Sequence, residues 1–588
     1  GSCVAVPYVG KLLVDAGAAV VKVESPAGDS FRRWSASGAA IPEGEDGAWW
    51  RFLNAGKGSV VEDLSAGPTD RMVDLLRQAD VVLDDHCPAD AARLGITARE
   101  LAALNPTLVI ATITPFGTRG PWADRPANDF ILQALVGATN GRGLPGEQPV
   151  SVGGDLGDFV VAAHAAAPVL AAALAARSTG VGVHVDVSQY EAMMLAFQTY
   201  RPMFDVFAPA YRIGRQIEIP SIEPASDGLV GFCPITGQQW HDFCAMIGAP
   251  DLADDPALAG FDGRMEQRAR LWPRIRAFTR EHTVDELVEL AAAFRIPVGP
   301  VGTGDRVADI DHFAERGVFV ESPHGFTQPR PPYQFSHSEL AGLGSAPVLG
   351  SSDGFSALEV EPPRLDADAG LPLAGVTVLD LSAFWAGPVA TNVLRVLGAT
   401  LVKVESHVRL DGMRWASGLP IPVADQLWEW SPVYHGANVG KTVINLDLST
   451  RAGLTLLEQL VESADLVIEN YSPRVTESWG LTWDRIQELN PRASFLRVPA
   501  FGTNGPWRDR VGFAMTMEQV SGLANRTGHV DGEPIVPRGP VDSLAGMHLA
   551  FAAVLAIAER DRLGHGQLIE LPLIEGALQA AAEQVVEY

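Results

Sequence analysis

Gly17-Ala18-Ala19-Val20-Val21-Lys22-Val23-Glu24-Ser25 returns further along the same chain as Gly398-Ala399-Thr400-Leu401-Val402-Lys403-Val404-Glu405-Ser406. It does not return alone. Asn54-x-Gly-Lys57 recurs as Asn438-x-Gly-Lys441, Leu104-Asn105-Pro106 as Leu489-Asn490-Pro491, and Phe116-Gly117-Thr118-Arg119-Gly120-Pro121-Trp122 as Phe501-Gly502-Thr503-Asn504-Gly505-Pro506-Trp507. The matches keep their order and a nearly constant spacing, which chance does not produce, so the chain carries a duplicated domain.

Within each copy, short β-branched runs alternate with helical stretches. The runs lie near 19–23, 81–83 and 108–113 in the first copy, and near 376–381, 401–404, 466–468 and 494–498 in the second. Short apolar strands separated by helices predict βαβ units and a parallel sheet covered on both faces, hence an α/β large domain. Between the copies the composition changes. A strand-like run at 229–233, Trp240, and helical patterns at 265–280 and 284–294 predict a smaller α+β domain, followed by a Pro/Gly/Ser-rich stretch. The expected organisation is a first large domain at 1–205 without its N-terminal strand, a small domain at 206–322, a return segment and linker at 323–372, and a second large domain at 373–588 without a C-terminal small domain. No first-copy stretch matches 376–388, the second copy's opening strand and turn.

Composition narrows the function. The chain has 588 residues and a formal charge of -27, with no basic run. That opposes nucleic-acid binding, which draws on clustered Lys and Arg. A small anion is still compatible with an acidic surface when a few cations are focused at one pocket. Cys3, Cys87, Cys233 and Cys244 are scattered without a Cys-x-x-Cys pair, so neither a zinc knuckle nor a disulfide framework is expected, and a reducing cytoplasm fits. The apolar stretch at 161–176 has polar interruptions and no basic flank, and is expected to be a buried helix rather than a membrane span.

Two aspartates stand out. Asp542 opens an apolar helix that closes near Gly564-His565-Gly566, and Asp158 opens one that closes near Gly180-Val181-Gly182, with equal spacing from aspartate to glycine. An aspartate at a helix start can simply cap it, with glycine closing the other end. The same amides and dipole can also keep a carboxylate ionised and stabilise an oxyanion as it attacks a thioester. Both readings stand on the sequence.

With these residues in place, the chain resembles the class III coenzyme A transferases, the CaiB/BaiF family of formyl-CoA transferase, carnitine CoA-transferase and α-methylacyl-CoA racemase. The resemblance rests on Leu381-Ser-x-x-x-Ala386-Gly387-Pro388, the repeated motifs above and Asp542-Ser-x-x-Gly-Met-His548. It extends through Trp240, Arg264, Thr283-Val-Asp-Glu-Leu287, Ile296-Pro297-Val298-Gly299-Pro300 and Ala346-Pro347-Val348-Leu349-Gly350. It implies a Rossmann-like large domain, here duplicated, plus a small α+β domain. It further implies an acyl-CoA:carboxylate CoA-transferase acting through an aspartyl-CoA thioester, with Asp542 and Asp158 as nucleophile candidates. Coenzyme A or acyl-CoA would be the substrate, exchanged with a small carboxylic acid, and no metal, nucleic acid or membrane partner is implied. By similarity the cofactor contacts are Lys57, Lys441 and Arg93, with Asn470-Tyr471 as the Asn-aromatic contact.

The copies depart from that pattern differently. Ser478 stands where the first copy has Arg93, and Asp85-His86 stands where the second has Asn470-Tyr471. The racemase branch uses a His-Asp pair where this chain reads Asn128-Asp129 and Phe513-Ala514; neither Asn nor Phe shuttles a proton at neutral pH, so racemisation is disfavoured. A CoA-dependent lyase or isomerase on the same scaffold, and a non-catalytic acyl-CoA-binding protein, remain alternatives. Family members form interlocked dimers, so an intramolecular pseudo-dimer or a homodimer is expected.

Overall fold

The computed structural model describes residues 3–197, 215, 217–355, 370–415 and 426–587. The first copy holds β1 (Val21–Glu24), β2 (Gly58–Val61), β3 (Val81–Asp84), β4 (Val109–Thr114) and β5 (His184–Ser188). The small domain holds β6 (Ile222–Pro224), β7 (Leu229–Phe232) and β8 (Val298–Pro300); β9 (Phe319–Glu321), β10 (Thr327–Pro329) and β11 (Gln334–Phe335) follow. The second copy holds β12 (Thr377–Asp380), β13 (Thr400–Glu405), β14 (Thr442–Asn445), β15 (Leu466–Glu469), β16 (Ser494–Arg497) and β17 (Leu568–Glu570).

The second copy forms the predicted parallel sheet, in the order β11-β17-β16-β15-β12-β13-β14 with β11 antiparallel at its edge. The first copy repeats it in two pieces, β1–β2 and β3–β4–β5, both parallel. In the second copy β12 bridges β13 and β15; among the described residues no strand bridges β1 and β3. The consequence shows in burial, since β15 is buried throughout while its counterpart β3 is only half-buried. The gap is smaller than the sequence suggested. The Ala5–Asp15 helix stands where Ala386–Val396 does, and Pro7 and Pro388 each offer a carbonyl to the following copy-specific lysine, Lys57 or Lys441. Residues 386–388 therefore have counterparts, while among the described residues the opening strand has none; Cys3-Val4-Ala5-Val6 and Phe384-Trp385-Ala386-Gly387 share only the alanine, which hides the match in the sequence.

The Leu156–Thr179 and Pro540–Leu563 helices pack against each other at the centre of the molecule. Both are apolar on all sides and long enough to cross a membrane, yet most of each is buried inside the protein, as expected of core helices. Gly546 lets the second approach Ala386, where a Cβ would come within 2.5 Å of the Ala386 carbonyl oxygen. His548, fully buried, meets Tyr8 of the first copy, Nε2 to hydroxyl, at 3.0 Å.

Between the copies the chain crosses over and back. The small domain has its own core around Phe232, Trp240, Phe243, Leu271 and Leu287, and Trp49 and Trp50 likewise lie in the first copy's interior. The small domain docks on the second copy, where the Gly302 amide donates to the Gln519 carbonyl at 2.9 Å and Arg276 pairs with Glu533 at 2.9 Å. Downstream, His312 stacks on Trp507 at 5.2 Å, Arg316 pairs with Glu570 and Glu575, and β11 joins the second copy's sheet. The chain then returns, with Ala341 and Ser352 amides donating to Asp15 and Ser59 carbonyls of the first copy. The boundary expected at 205/206 lies outside the described residues. That at 322/323 falls inside a hairpin, since β9 and β10 pair antiparallel across it; Pro323 and Gly325 mark its turn rather than the start of a linker.

Candidate active site

Asp542 is the third residue of its helix, after Pro540 at the first position, where a missing N–H costs nothing. Asp158 holds the same third place in the Leu156–Thr179 helix. Neither side chain is the cap that sequence allowed: the cap residues are Gly539 and Asp155, and no side-chain bond closes either end. The equivalence ends there.

Asp542 is partly reached by solvent, and its carboxylate has no hydrogen-bonding or charged partner among the described residues. Burial alone pushes it from the ordinary aspartate range up to about 7. Around it, the Trp385 indole N–H donates to Ser543 Oγ at 2.9 Å, tying the start of the Ala386–Val396 helix to that of Pro540–Leu563. Phe384, with φ 61°, turns its ring edge-on to Phe513 at 5.6 Å. Cys233 of the small domain lies within electrostatic reach of Asp542, Glu218 and Glu518, and burial and those charges hold its thiol protonated. Residues from the second copy and from the small domain thus build one site.

Asp158 is only 5% exposed, and its Oδ2 accepts the Val4 amide at 2.8 Å. Burial, then the neighbouring Asp155, push it to about 7. Asp129 beside it is driven well above the carboxylate range, first by burial and then by Asp158. No small domain covers this copy among the described residues: Leu135 is 45% exposed, whereas its counterpart Val520 is fully buried beneath Gly299 and Gly302.

The expected cofactor lysines face inward. Lys441 Nζ donates to Asp380 Oδ2 at 2.9 Å, Thr391 Oγ1 at 2.7 Å, Pro388 O at 2.8 Å and Asn438 Oδ1 at 3.0 Å. Lys57 Nζ donates to Pro7 O at 2.7 Å and Asn54 Oδ1 at 3.1 Å, and burial holds its ammonium well below the usual lysine range. Neither ammonium is presented to a phosphate; each pins the turn after its Asn-x-Gly-Lys motif to the helix opposite. Arg93 is exposed and paired with Asp90. Asn470 is structural as placed, since its side chain both accepts from Ala383 N at 2.9 Å and donates to Ala383 O at 2.7 Å, bracing the turn below Phe384. Tyr471 lies next to it, edge-on to Trp479. The first copy's corresponding turn carries Asp84, Asp85 and His86, with His86 Nδ1 2.5 Å from Asp84 Oδ1. Trp385, Glu518 and Cys233 were not foreseen. Trp385 occupied an unspecified position inside a quoted motif, and Glu518 and Cys233 become neighbours of Asp542 only through folding.

The family model for CoA-transferase family III matches residues 1–353 and 373–588. Over 96% of its length the chain is 29% identical to "Probable CoA-transferase" of Mycobacterium tuberculosis, covering 73% of that protein. It is 30% identical to an acetyl-CoA:oxalate CoA-transferase of Acetobacter aceti over 56% of this chain and 85% of the other. A succinate–glutarate CoA-transferase of Agrobacterium fabrum is 28% identical over 60% of this chain and 92% of its own. Among solved structures, a CaiB/BaiF family protein from Brucella suis aligns with a TM-score of 0.51 at 27% identity, over 58% of this chain and 92% of that one.

Proposed function

This chain belongs to CoA-transferase family III, and on that premise we propose that it moves CoA from an acyl-CoA donor to a small carboxylic acid through an aspartyl-CoA thioester on Asp542. The observation that carries the choice of residue is the free state of the Asp542 carboxylate against the Val4-bound state of Asp158. A carboxylate oxygen of Asp542 attacks the thioester carbonyl, the C–S bond breaks, and CoA leaves as thiolate from a mixed anhydride. The thiolate attacks the aspartyl carbonyl and expels the donor's carboxylate, leaving aspartyl-CoA. The acceptor carboxylate attacks in turn, and the returning thiolate takes the new acyl group and frees Asp542. Each oxyanion forms beside the positive end of the Pro540–Leu563 helix, which favours developing negative charge.

Lys57 and Lys441 are assigned to the scaffold in this reading, and Arg93, Asn470 and Tyr471 remain candidates for the cofactor side. The fused copies act as an intramolecular pseudo-dimer in which the first supplies the small domain over the second's nucleophile. Short dicarboxylates, which the relatives' names mention, are the first acceptors to try. Racemisation gains no support, because Asn128 caps its own helix by accepting the Ile131 amide at 3.0 Å and Phe513 packs on Phe384.

The test is hydroxylamine-sensitive trapping of a CoA adduct, followed by intact mass and peptide mapping. An adduct on Asp542, retained in Asp158→Asn, is expected. An adduct on Asp158, or none with any short acyl-CoA, refutes the assignment.

A further inference from the structure

Glu518 is fully buried, and its two carboxylate oxygens accept two consecutive backbone amides, Arg538 N at 2.8 Å and Gly539 N at 2.7 Å. Those amides belong to the turn that launches the Pro540–Leu563 helix. Both residues sit at positive φ, 67° and 108°, which for Arg538 is a conformation that an L side chain rarely adopts and that surrounding contacts must hold. Successive amides converging on one anion form a nest, and here the anion is a side chain of the protein itself. Arg142 of the first copy grips the same turn from the other side, its Nε donating to Pro537 O at 2.6 Å, while Arg538 donates to Gly141 O at 2.8 Å and pairs with Glu218.

The first copy supplies the comparison. Gln133 occupies Glu518's position, and its amide accepts from Val152 N at 2.8 Å and donates to Val152 O at 3.3 Å. A donor-plus-acceptor suits that turn; two donors, as in the second copy, call for two acceptor oxygens, which a carboxyl supplies and a side-chain amide does not.

We propose that Glu518 is the positioning residue of Asp542, fixing through the Arg538–Gly539 amides where the helix begins and hence where its third residue, the nucleophile, is held. This inference rests on the Asp542 reading above. Among the described residues the titratable groups around Glu518 are Arg142, Arg538, Glu218, Cys233 and Asp542. Burial, with Asp542 as a further contribution, raises the Glu518 carboxyl to about 8, so it still holds its proton while Asp542 titrates at about 7, and replacing it by glutamine leaves the ionisation of Asp542 in place.

The experiment measures kcat, KM and single-turnover adduct formation against pH for the full chain, as wild type, E518Q and E518D. E518Q is expected to lower kcat about tenfold with KM within about twofold, because orientation rather than binding is lost, while the acid limb of kcat and the melting temperature stay close to wild type. E518D keeps the carboxyl but withdraws it by one methylene, so kcat falls there as well, again with KM within about twofold. Unchanged kcat in both variants, or a loss of kcat that comes with a matching rise in KM or a lower melting temperature, overturns the proposal; a lower melting temperature marks a residue that only stabilises the fold. Should E518Q not fold, E518D alone decides, because wild-type kcat there refutes positioning. Absence of an Asp542 adduct in the wild type refutes the nucleophile assignment instead, and is read before any variant.

Discussion

Asp542→Asn separates chemistry from stability in one substitution. A carboxyl whose folded value is raised to about 7 from an ordinary 3.8 binds its proton more tightly folded than unfolded. Folding stability therefore falls as pH rises from about 4 to about 7, and the ionised group destabilises the protein above that window. At about 1.4 kcal/mol per pH unit, a shift of some three units sets an upper bound of about 4 kcal/mol. Solvent reaches part of the side chain, so screening reduces this to about 1–2 kcal/mol. Asparagine has the same shape and no charge, so the variant should melt about 2–4 °C higher than wild type at pH 8.5 and at the same temperature at pH 4, while forming no CoA adduct. Because a chain with several cores need not unfold in one step, the comparison is best made on the first calorimetric transition at each pH. A variant that melts lower than wild type at pH 8.5 would mean that the carboxylate has a partner when ionised, and the account of it as an unpaired nucleophile would fail.

Two further outcomes test the surroundings. Lys441→Met removes the ammonium paired with Asp380 and leaves that buried carboxylate to the Ser382 and Thr391 donors and the charge of Lys403, so it should destabilise by about 3 kcal/mol; a well-folded variant with only a raised KM for CoA would instead restore Lys441 to phosphate binding. Gly302→Ala would place a Cβ 2.1 Å from the Val520 carbonyl oxygen, a backbone atom that cannot yield. It should loosen the small domain from the second copy, raise protease sensitivity between 217 and 335, and lower adduct yield on Asp542; unchanged yield would show that the site does not need that seam.

The duplication, the parallel sheet and the paired aspartates were all legible in the sequence, because each is carried by a local pattern: period, motif order, and spacing from aspartate to glycine. Lys57 and Lys441 show where such patterns stop. A lysine in an Asn-x-Gly-Lys turn reads as an exposed cation, and only the packing of Pro7 or Pro388 against it reveals a buried ammonium with carbonyl acceptors. The bracing role of Asn470 was hidden in the same way, since its hydrogen bonds run to Ala383, far off in sequence. The small-domain boundary failed for a simpler reason, as Pro and Gly mark hairpin turns and linkers alike.

The two copies are near-equals in motif and unequal in what the fold does with them. Val4, at the start of the Ala5–Asp15 helix, closes on Asp158 with its amide. In the second copy the corresponding residue is Trp385, whose indole turns to Ser543, and the neighbouring Asp542 carboxylate has no partner among the described residues. Among the described residues the first copy's sheet is split between β1 and β3, and Leu135 is exposed where the second copy's Val520 is covered. What the first copy does contribute lies on its neighbour's side: Tyr8 against His548, Arg142 against Pro537, and the small domain with Cys233. Each of these contacts stabilises the frame in which Asp542 stands, and of the three just one has an equivalent on the Asp158 side among the described residues, the Arg142 grip, which Thr527 mirrors more weakly by accepting the Gly153 amide on its Oγ1 at 3.1 Å. On the proposed chemistry, duplication in a single chain has therefore produced division of labour, with the first copy acting as the second subunit of the other's active site. Asp158→Asn should then leave turnover intact, while a change on the first copy at Arg142, far from Asp542 in sequence, should not.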